Sequence, residues 1–285
     1  MKFLKKLACA AAVAVSFAGA ASAEVVLNDW VFNPAGTGFT SGQVVNEYLD
    51  VNGNAFIQLT PTGTNSFSFT EHAVFNIVQA DSNGQLFPVN FPGGNISATF
   101  EATGTGNFGG AFSFSSGTIR LYQNPTNGQY GTTTGVYGAN LGEEIAMFNV
   151  LAGGGGNVDA SGSPINNGQV TVLAKAEAGA LDAGYFFRAN GEDLSMDAVL
   201  AFAFTNANTV GEPTNRLVSE VACQYAGFTG NGCNGTAYSN TPGAFFVSNN
   251  GQFKLAEVPE PGSLALFGIA LLGAGVVSRK RAKKA

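Results

Sequence analysis

Two short stretches decide how this chain folds: "SFSFT" at Ser66–Thr70 and "AFSFSS" at Ala111–Ser116. In each, Phe recurs at every second position. Successive side chains of an extended strand point to opposite faces, so both rings fall on one side and the serines on the other. That is the pattern of a strand with one face in a core and one face toward water.

Working outward, similar runs recur along the chain. They are "VVNEYLDV" (Val44–Val51), "AFIQLT" (Ala55–Thr60), "AVFNIV" (Ala73–Val78), "ISATFEA" (Ile96–Ala102) and "TIRLYQ" (Thr118–Gln123). Further on come "IAMFNVL" (Ile145–Leu151), "QVTVLAKA" (Gln169–Ala176), "YFFRA" (Tyr185–Ala189) and "VLAFAFT" (Val199–Thr205). Asn52-Gly53, Asn83-Gly84, Pro92-Gly93-Gly94, Asn127-Gly128 and Asn167-Gly168 read as turns between them. "FFVSNNGQFKLA" (Phe245–Ala256) reads as a hairpin around Asn250-Gly251, and the four glycines Gly153–Gly156 as a flexible loop. In "RLVSEVACQYA" the spacing of Leu217, Val221 and Tyr225 predicts one short helix, and a short turn is expected at Glu192–Val199. The expectation is an all-β chain: a single β-sandwich or jelly-roll-like domain over residues 24–257 with one short helix.

Composition agrees with this. Charged residues make up 11% of the chain against about 25% in an average globular protein, and there are 39 Gly and 24 Phe. Eight of the 13 basic residues lie at the two ends, which leaves five basic against 19 acidic between Glu24 and Glu260, a net charge of −14. Nucleic-acid binding rests on Lys and Arg neutralising phosphate, so an acidic body without a basic patch excludes it. The same balance opposes docking on anionic lipid.

Both ends read as addresses. Lys2, Lys5 and Lys6 precede an apolar stretch, Leu7–Ala20, and Ala21-Ser22-Ala23 supplies a small-x-small cleavage site between Ala23 and Glu24. Residues 1–23 are therefore expected to be a signal peptide. Export places the body in an oxidising compartment. There Cys223 and Cys233, with nine residues between them in a Gly/Asn-rich loop, are expected to form a disulfide, because two thiols without a nearby His make a poor metal site. At the other end, Leu264–Val277 is an apolar run of 14 residues, and Pro261 to Ser278 spans 18. A comfortable membrane-spanning helix needs about 20. This run predicts a short hydrophobic helix, with the basic residues from Arg279 onward holding the terminus in the cytoplasm.

Residues 258–285 resemble a known sorting signal. Val258-Pro259-Glu260-Pro261, a short apolar run and then Arg279-Lys280-Arg281 are similar to the PEP-CTERM tail of exported proteins from exopolysaccharide-producing Gram-negative bacteria. The resemblance implies recognition by the membrane peptidase exosortase, a transient tether in the inner membrane with the body outside, cleavage near Pro-Glu-Pro, and transfer to the cell surface or matrix. The body resembles the flocculation-associated PEP-CTERM proteins in "DWVFNPAGTGF" (Asp29–Phe39), "EYLDVNGNAFIQL" (Glu47–Leu59) and "LAGGGGNVDASGSP" (Leu151–Pro164). "YFFRANGEDLS" (Tyr185–Ser195) and "FFVSNNGQFKLAEVPEPGSLALFG" (Phe245–Gly268) add to the likeness. That resemblance implies a secreted component of flocs or biofilm, held with exopolysaccharide, and carries no catalytic motif.

The residues themselves offer little catalytic chemistry. The single His, His72, has no G-x-S-x-G partner motif, and no H-E-x-x-H or P-loop occurs. Glu71 beside His72 should point to the opposite sheet face. Glu143-Glu144 and Glu192-Asp193 are adjacent carboxylate pairs, whereas a glycosidase needs two facing each other across a cleft. No catalytic residue and no cofactor is expected. Calcium is the ion that the oxygen-bearing side chains Asp50, Asn52, Asn54 and Asp81 would suit, although Asx turns explain those stretches equally well. The expected function is that of a non-enzymatic surface or matrix protein. The alternative is a carbohydrate-binding module with Trp30, Tyr122, Tyr130 or Tyr137 as its platform, and a glycan-active enzyme is a third reading.

Overall fold

The computed structural model describes residues 26–82, 85–89, 95–124, 130–132, 134–165 and 168–258. The expected tail helix and the turns at Asn83-Gly84, Pro92-Gly94 and Asn127-Gly128 lie outside them, as does Asn167.

The Phe alternation does what an extended strand requires. Ser66–Thr70 and Ala73–Val78 belong to one strand, β4 (Ser66–Ser82), in which Phe67 and Phe69 are buried and Ser66, Ser68 and Thr70 are half-buried. The strands before it are β1 (Trp30–Phe32), β2 (Gln43–Val45) and β3 (Tyr48–Pro61). After it come β5 (Gln85–Pro88), β6 (Asn95–Asn107), β7 (Ala111–Asn124), β8 (Glu143–Val150) and β9 (Gly153–Asn157). The last are β10 (Gly168–Ala176), β11 (Phe186–Phe187), β12 (Val199–Thr209) and β13 (Ala244–Glu257). A 3-10 turn at Leu194–Met196, capped by Asp193, occupies the expected turn before β12.

The all-β architecture with sandwich-like antiparallel sheets is present, and the larger sheet closes on itself. Its order is β12-β13-β3-β4-β6-β7-β8-β10-β9, and β10 also pairs with β12 from Gly168↔Ala207 to Ala176↔Val199. β7 and β10 each pair with both β8 and β9, so those two strands share one place in the wall. A three-stranded sheet, β11-β1-β2, contributes Trp30, Phe32 and Phe186 to the same core.

Inside the barrel the rings interlock. Phe69 meets Phe112 and Phe114 edge-on, each at 5.6 Å, and Phe100 meets Phe114 at 5.8 Å. Such pairs add roughly 0.5–1.5 kcal/mol each beyond the burial of their area. Glu71, on the same face of β4, points into this interior, and His72 points away, its ring edge-on to Tyr225 at 5.0 Å.

Three loop expectations are corrected. Asn52-Gly53 lies inside β3 and Asn250-Gly251 inside β13, so neither is a turn. In both, glycine is needed for close approach, because a Cβ would run into the carbonyl of Val74 or of Phe204 on the adjacent strand. Gly153–Gly156 is strand rather than flexible loop. It threads between β7 and β10, where Gly155 takes a positive φ of 102° and faces the Phe112 carbonyl.

The expected helix is present with different winding. An α-helical turn, α1 (Asn215–Leu217), is capped by the Thr214 hydroxyl accepting from the Leu217 N–H at 3.2 Å. It continues as a π-helix, Val218–Tyr225. Leu217, Val218, Val221 and Ala222 pack on Phe56, Val74 and Phe246, making a second core on the outside of the barrel wall. Cys223 and Cys233 form a disulfide, Cα atoms 5.5 Å apart, that ties the helix to the following loop.

Two expected outcomes follow. Replacing both Cys223 and Cys233 by Ser should lower unfolding free energy by about 2–3 kcal/mol, the chain-entropy value for so short a loop. Urea denaturation checks this, and an unchanged midpoint would contradict it. Burial pushes the Glu71 carboxyl up from 4.5 to about 7. The native state then holds a proton that the unfolded chain has lost, so this group's contribution is full below about pH 4.5 and falls until about pH 7. The loss is of order 3 kcal/mol. Burial also raises Asp50 and Asp182, whereas the Ser161 hydroxyl lowers Asp159. The difference between wild type and Glu71→Gln across pH isolates the Glu71 part, and parallel pH profiles would refute it.

Candidate functional site

A polar concavity lies on the outer face of β3, β12 and β13. Positions 52 and 54 face outward on β3 because 51 and 55 face the core. The register sets Asn52 opposite Asn250 and Asn54 opposite Ser248, so these side chains share one face across the β3–β13 ladder. Asn206 and Asn208 of β12 line the same cleft, and the Ser248 hydroxyl donates to the Asn208 carbonyl at 3.4 Å. The result is a cleft of about 550 Å³ floored by amides and a hydroxyl.

One wall is the segment between β7 and β8, which supplies Tyr130, Gly131 and Tyr137. The two tyrosine rings stand edge to face, 5.5 Å apart. Tyr137 has φ 54°, in the left-handed region that a bulky residue adopts only when its surroundings hold it there. Its N–H donates to the carboxylate of Glu220 at 3.0 Å, and its carbonyl accepts from the Gly131 N–H at 2.7 Å. Glu220 is itself buried on the π-helix, and Arg216 bridges Glu220 and the Thr132 carbonyl. The Tyr130 hydroxyl donates to the Val74 carbonyl at 3.2 Å and meets the Asn54 amide. Burial, with Tyr137 alongside, holds that hydroxyl above the ordinary tyrosine range. Helix, disulfide and loop thus fix two aromatic rings over an amide floor before any ligand arrives.

The chemistry of such a cleft is neutral hydrogen bonding beside aromatic faces. Each Asn side chain presents both donors and an acceptor. Among the described residues, no carboxylate or base lines the cleft.

The sequence-derived candidates fall as follows. Trp30 is fully buried, 0% exposed, stacked with Phe186, so it cannot be a solvent-facing platform. Tyr122 sits on β7 outside the cleft, while Tyr130 and Tyr137 are in it. Asp50, Asn52 and Asn54 lie along strand β3 rather than in a loop, and Asp81 accepts the N–H groups of Glu47 and Tyr48 at 2.8 and 2.9 Å. Among the described residues no three His, Cys, Asp or Glu side chains cluster as a metal site. Glu144 is paired with Arg120 at 2.9 Å, and Asp193 accepts from the Gly184 and Ser195 N–H groups. The sequence reading does not single out Asn206, Asn208 or Ser248, and it takes Asn250 only as part of a turn. Their signal was Asn recurring at every second place in "TNANT", which only a known strand register turns into a surface.

Val258 is the last described residue, directly after β13; Ala23, Glu24, Pro259–Pro261 and Arg279–Arg281 lie outside the described residues. Among the described residues no helix is long and apolar enough to cross a membrane. The described body is followed by a C-terminal tail that reads as a sorting signal. Comparison with family models identifies residues 257–281 as the PEP-CTERM protein-sorting motif, and that motif implies export, exosortase processing and a location outside the cell. No curated protein and no solved structure matches the chain. Removing Val258–Ala285 should abolish exosortase-dependent processing. Immunoblots would then show one product size in cells with and without the peptidase, and a size difference that persists would contradict this.

Proposed function

We propose that the exported body is a non-enzymatic matrix protein that holds a neutral polysaccharide in the amide-and-tyrosine cleft, and so contributes to floc or biofilm cohesion. The observation that carries this reading is the cleft: Asn52, Asn54, Asn206, Asn208, Ser248 and Asn250 beneath Tyr130 and Tyr137. Sugar hydroxyls both donate and accept, as amides do, and sugar rings present apolar faces suited to an aromatic wall.

Charge favours a neutral glycan. The body's basic side chains Arg120, Lys175, Arg188, Arg216 and Lys254 each pair with a carboxylate. Surface pairs of this kind add little stability, but none of these five described cations is left unpaired for an anionic polymer. The excess of acidic residues would repel such a polymer. The described lining of amides, hydroxyls and phenols suits binding, whereas glycoside hydrolysis uses two opposed carboxylates.

The test is binding of neutral and anionic fractions of the producing cells' exopolysaccharide, by affinity electrophoresis. The neutral fraction should retard the wild type. Tyr137→Ala, and Asn206→Ala combined with Asn250→Ala, should each weaken retardation at least tenfold with unchanged thermal unfolding. Cells carrying these variants should floc poorly. Retardation by no fraction, or normal flocs without the gene, would overturn the reading.

A further inference from the structure

The barrel interior contains a second cavity, of about 80 Å³, distinct from the outer cleft. Its wall includes Phe69, Phe100, Ile119, Val172 and Phe245, drawn from strands all around the barrel. Into it projects Glu71, only 8% exposed. The carboxyl has no hydrogen-bond or ion-pair partner among the described residues. The positions beside it on β6 and β7 are Ala102 and Gly117, and its neighbour on β3 is Ile57, none of which has a polar side chain. Among the described residues, the only other polar side chains lining the cavity are Thr205 and Asn249, neither of which titrates.

A lone carboxyl in an apolar chamber is costly, and an apolar residue of similar size would be more stable there. The fold does not call for it, since no backbone group or side chain uses it. What the chamber lacks is a cation. An alcohol could give Glu71 one hydrogen bond but would leave a carboxylate uncompensated, whereas an ammonium group supplies both donors and charge. By the volume one water needs, about 10–15 Å³ on this measure, the space accommodates a chain of roughly five or six heavy atoms.

We infer that the barrel interior is a binding chamber for a small aliphatic primary amine, its ammonium held by Glu71 and its alkyl chain packed among the interior Phe, Ile and Val side chains. In solution the amine is already protonated. When Glu71 enters the reaction as a carboxylic acid, its O–H bond breaks, the proton passes to solvent, and an ammonium–carboxylate pair remains. Burial places the Glu71 carboxyl at about 7, so affinity should rise about tenfold per pH unit up to that point and then level off.

The probe is n-pentylamine, titrated calorimetrically into the exported protein between pH 5.5 and 8, with n-pentanol and pentanoate as controls. Saturable one-to-one binding is expected for the amine, at least tenfold tighter than for the alcohol, with none for the acid. Glu71→Gln should weaken amine binding at least tenfold, and Tyr137→Ala in the outer cleft should leave it unchanged. Should Glu71→Gln not fold, the wild type still decides. At pH 6 the Glu71 side-chain carboxyl carbon resonance should move to its ionised position as pentylamine saturates. Unsaturable binding to the acidic surface, equal affinity for pentanol, an unaffected Glu71→Gln variant, or a stationary carboxyl resonance would each overturn the inference.

Discussion

The pairing of β10 with β12 is the constraint on which the rest of this structure depends. Those strands are distant in sheet order, and their ladder from Gly168↔Ala207 to Ala176↔Val199 joins the ends of the large sheet. Closure removes free edges that would otherwise invite pairing with other chains. It also turns one face of every wall strand into an interior. Only then does the alternation on β4 become a barrel lining, with Phe67, Phe69 and Glu71 within and His72 outside. The shared place of β8 and β9 follows from the same demand, since a strand broken at Leu151–Ala152 still spans the gap between β7 and β10.

The outer face is then free to carry a second structure. The π-helix packs its apolar side on Phe56, Val74 and Phe246, and the disulfide fixes its far end. Its buried Glu220 holds the Tyr137 N–H, and that bond sustains a backbone conformation Tyr137 would not keep alone. A chain of contacts thus runs from barrel wall to helix to loop to aromatic ring. Rigid elements position the rings, and the amide floor belongs to the wall itself. A preorganised site of this kind loses less entropy on binding.

How much of this was legible beforehand depends on whether the signal was local. The Phe alternation at Ser66–Thr70 needed only strand geometry, and the strand, the buried face and the opposite pointing of Glu71 and His72 all followed from it. The helix was legible from the spacing of Leu217, Val221 and Tyr225, but not its π winding. Asn52-Gly53 and Asn250-Gly251 misled because one dipeptide serves two physical needs. In a tight turn Gly provides positive φ. Here it provides room for the Val74 or Phe204 carbonyl on the next strand, and that neighbour is set by register. The cleft was illegible for the same reason. Asn52 was noticed as an ion ligand, yet Asn250, almost two hundred residues away, is what makes it part of a surface. Trp30 misled by its type alone, since a lone Trp on an exported chain suggests a sugar platform and this one fills the core.

Inside and outside, the protein places polar groups by opposite logics. On the outer face, neutral amides repeat across neighbouring strands, each able to hydrogen-bond to water or to ligand, so their exposure costs little. In the interior a single ionisable group, Glu71, is buried among apolar side chains, and no described residue compensates it. A random surface mutation could add one more Asn to the outer row at small cost. Glu71 differs in cost, because an unpartnered buried carboxyl subtracts from stability whenever it ionises. The five basic side chains of the body, each engaged by a carboxylate of its own, sharpen the contrast. The protein has cations available for pairing, and it places none of them beside Glu71. A carboxyl placed at energetic cost in a chamber that closure of the sheet creates is suited to a cationic partner from outside the chain.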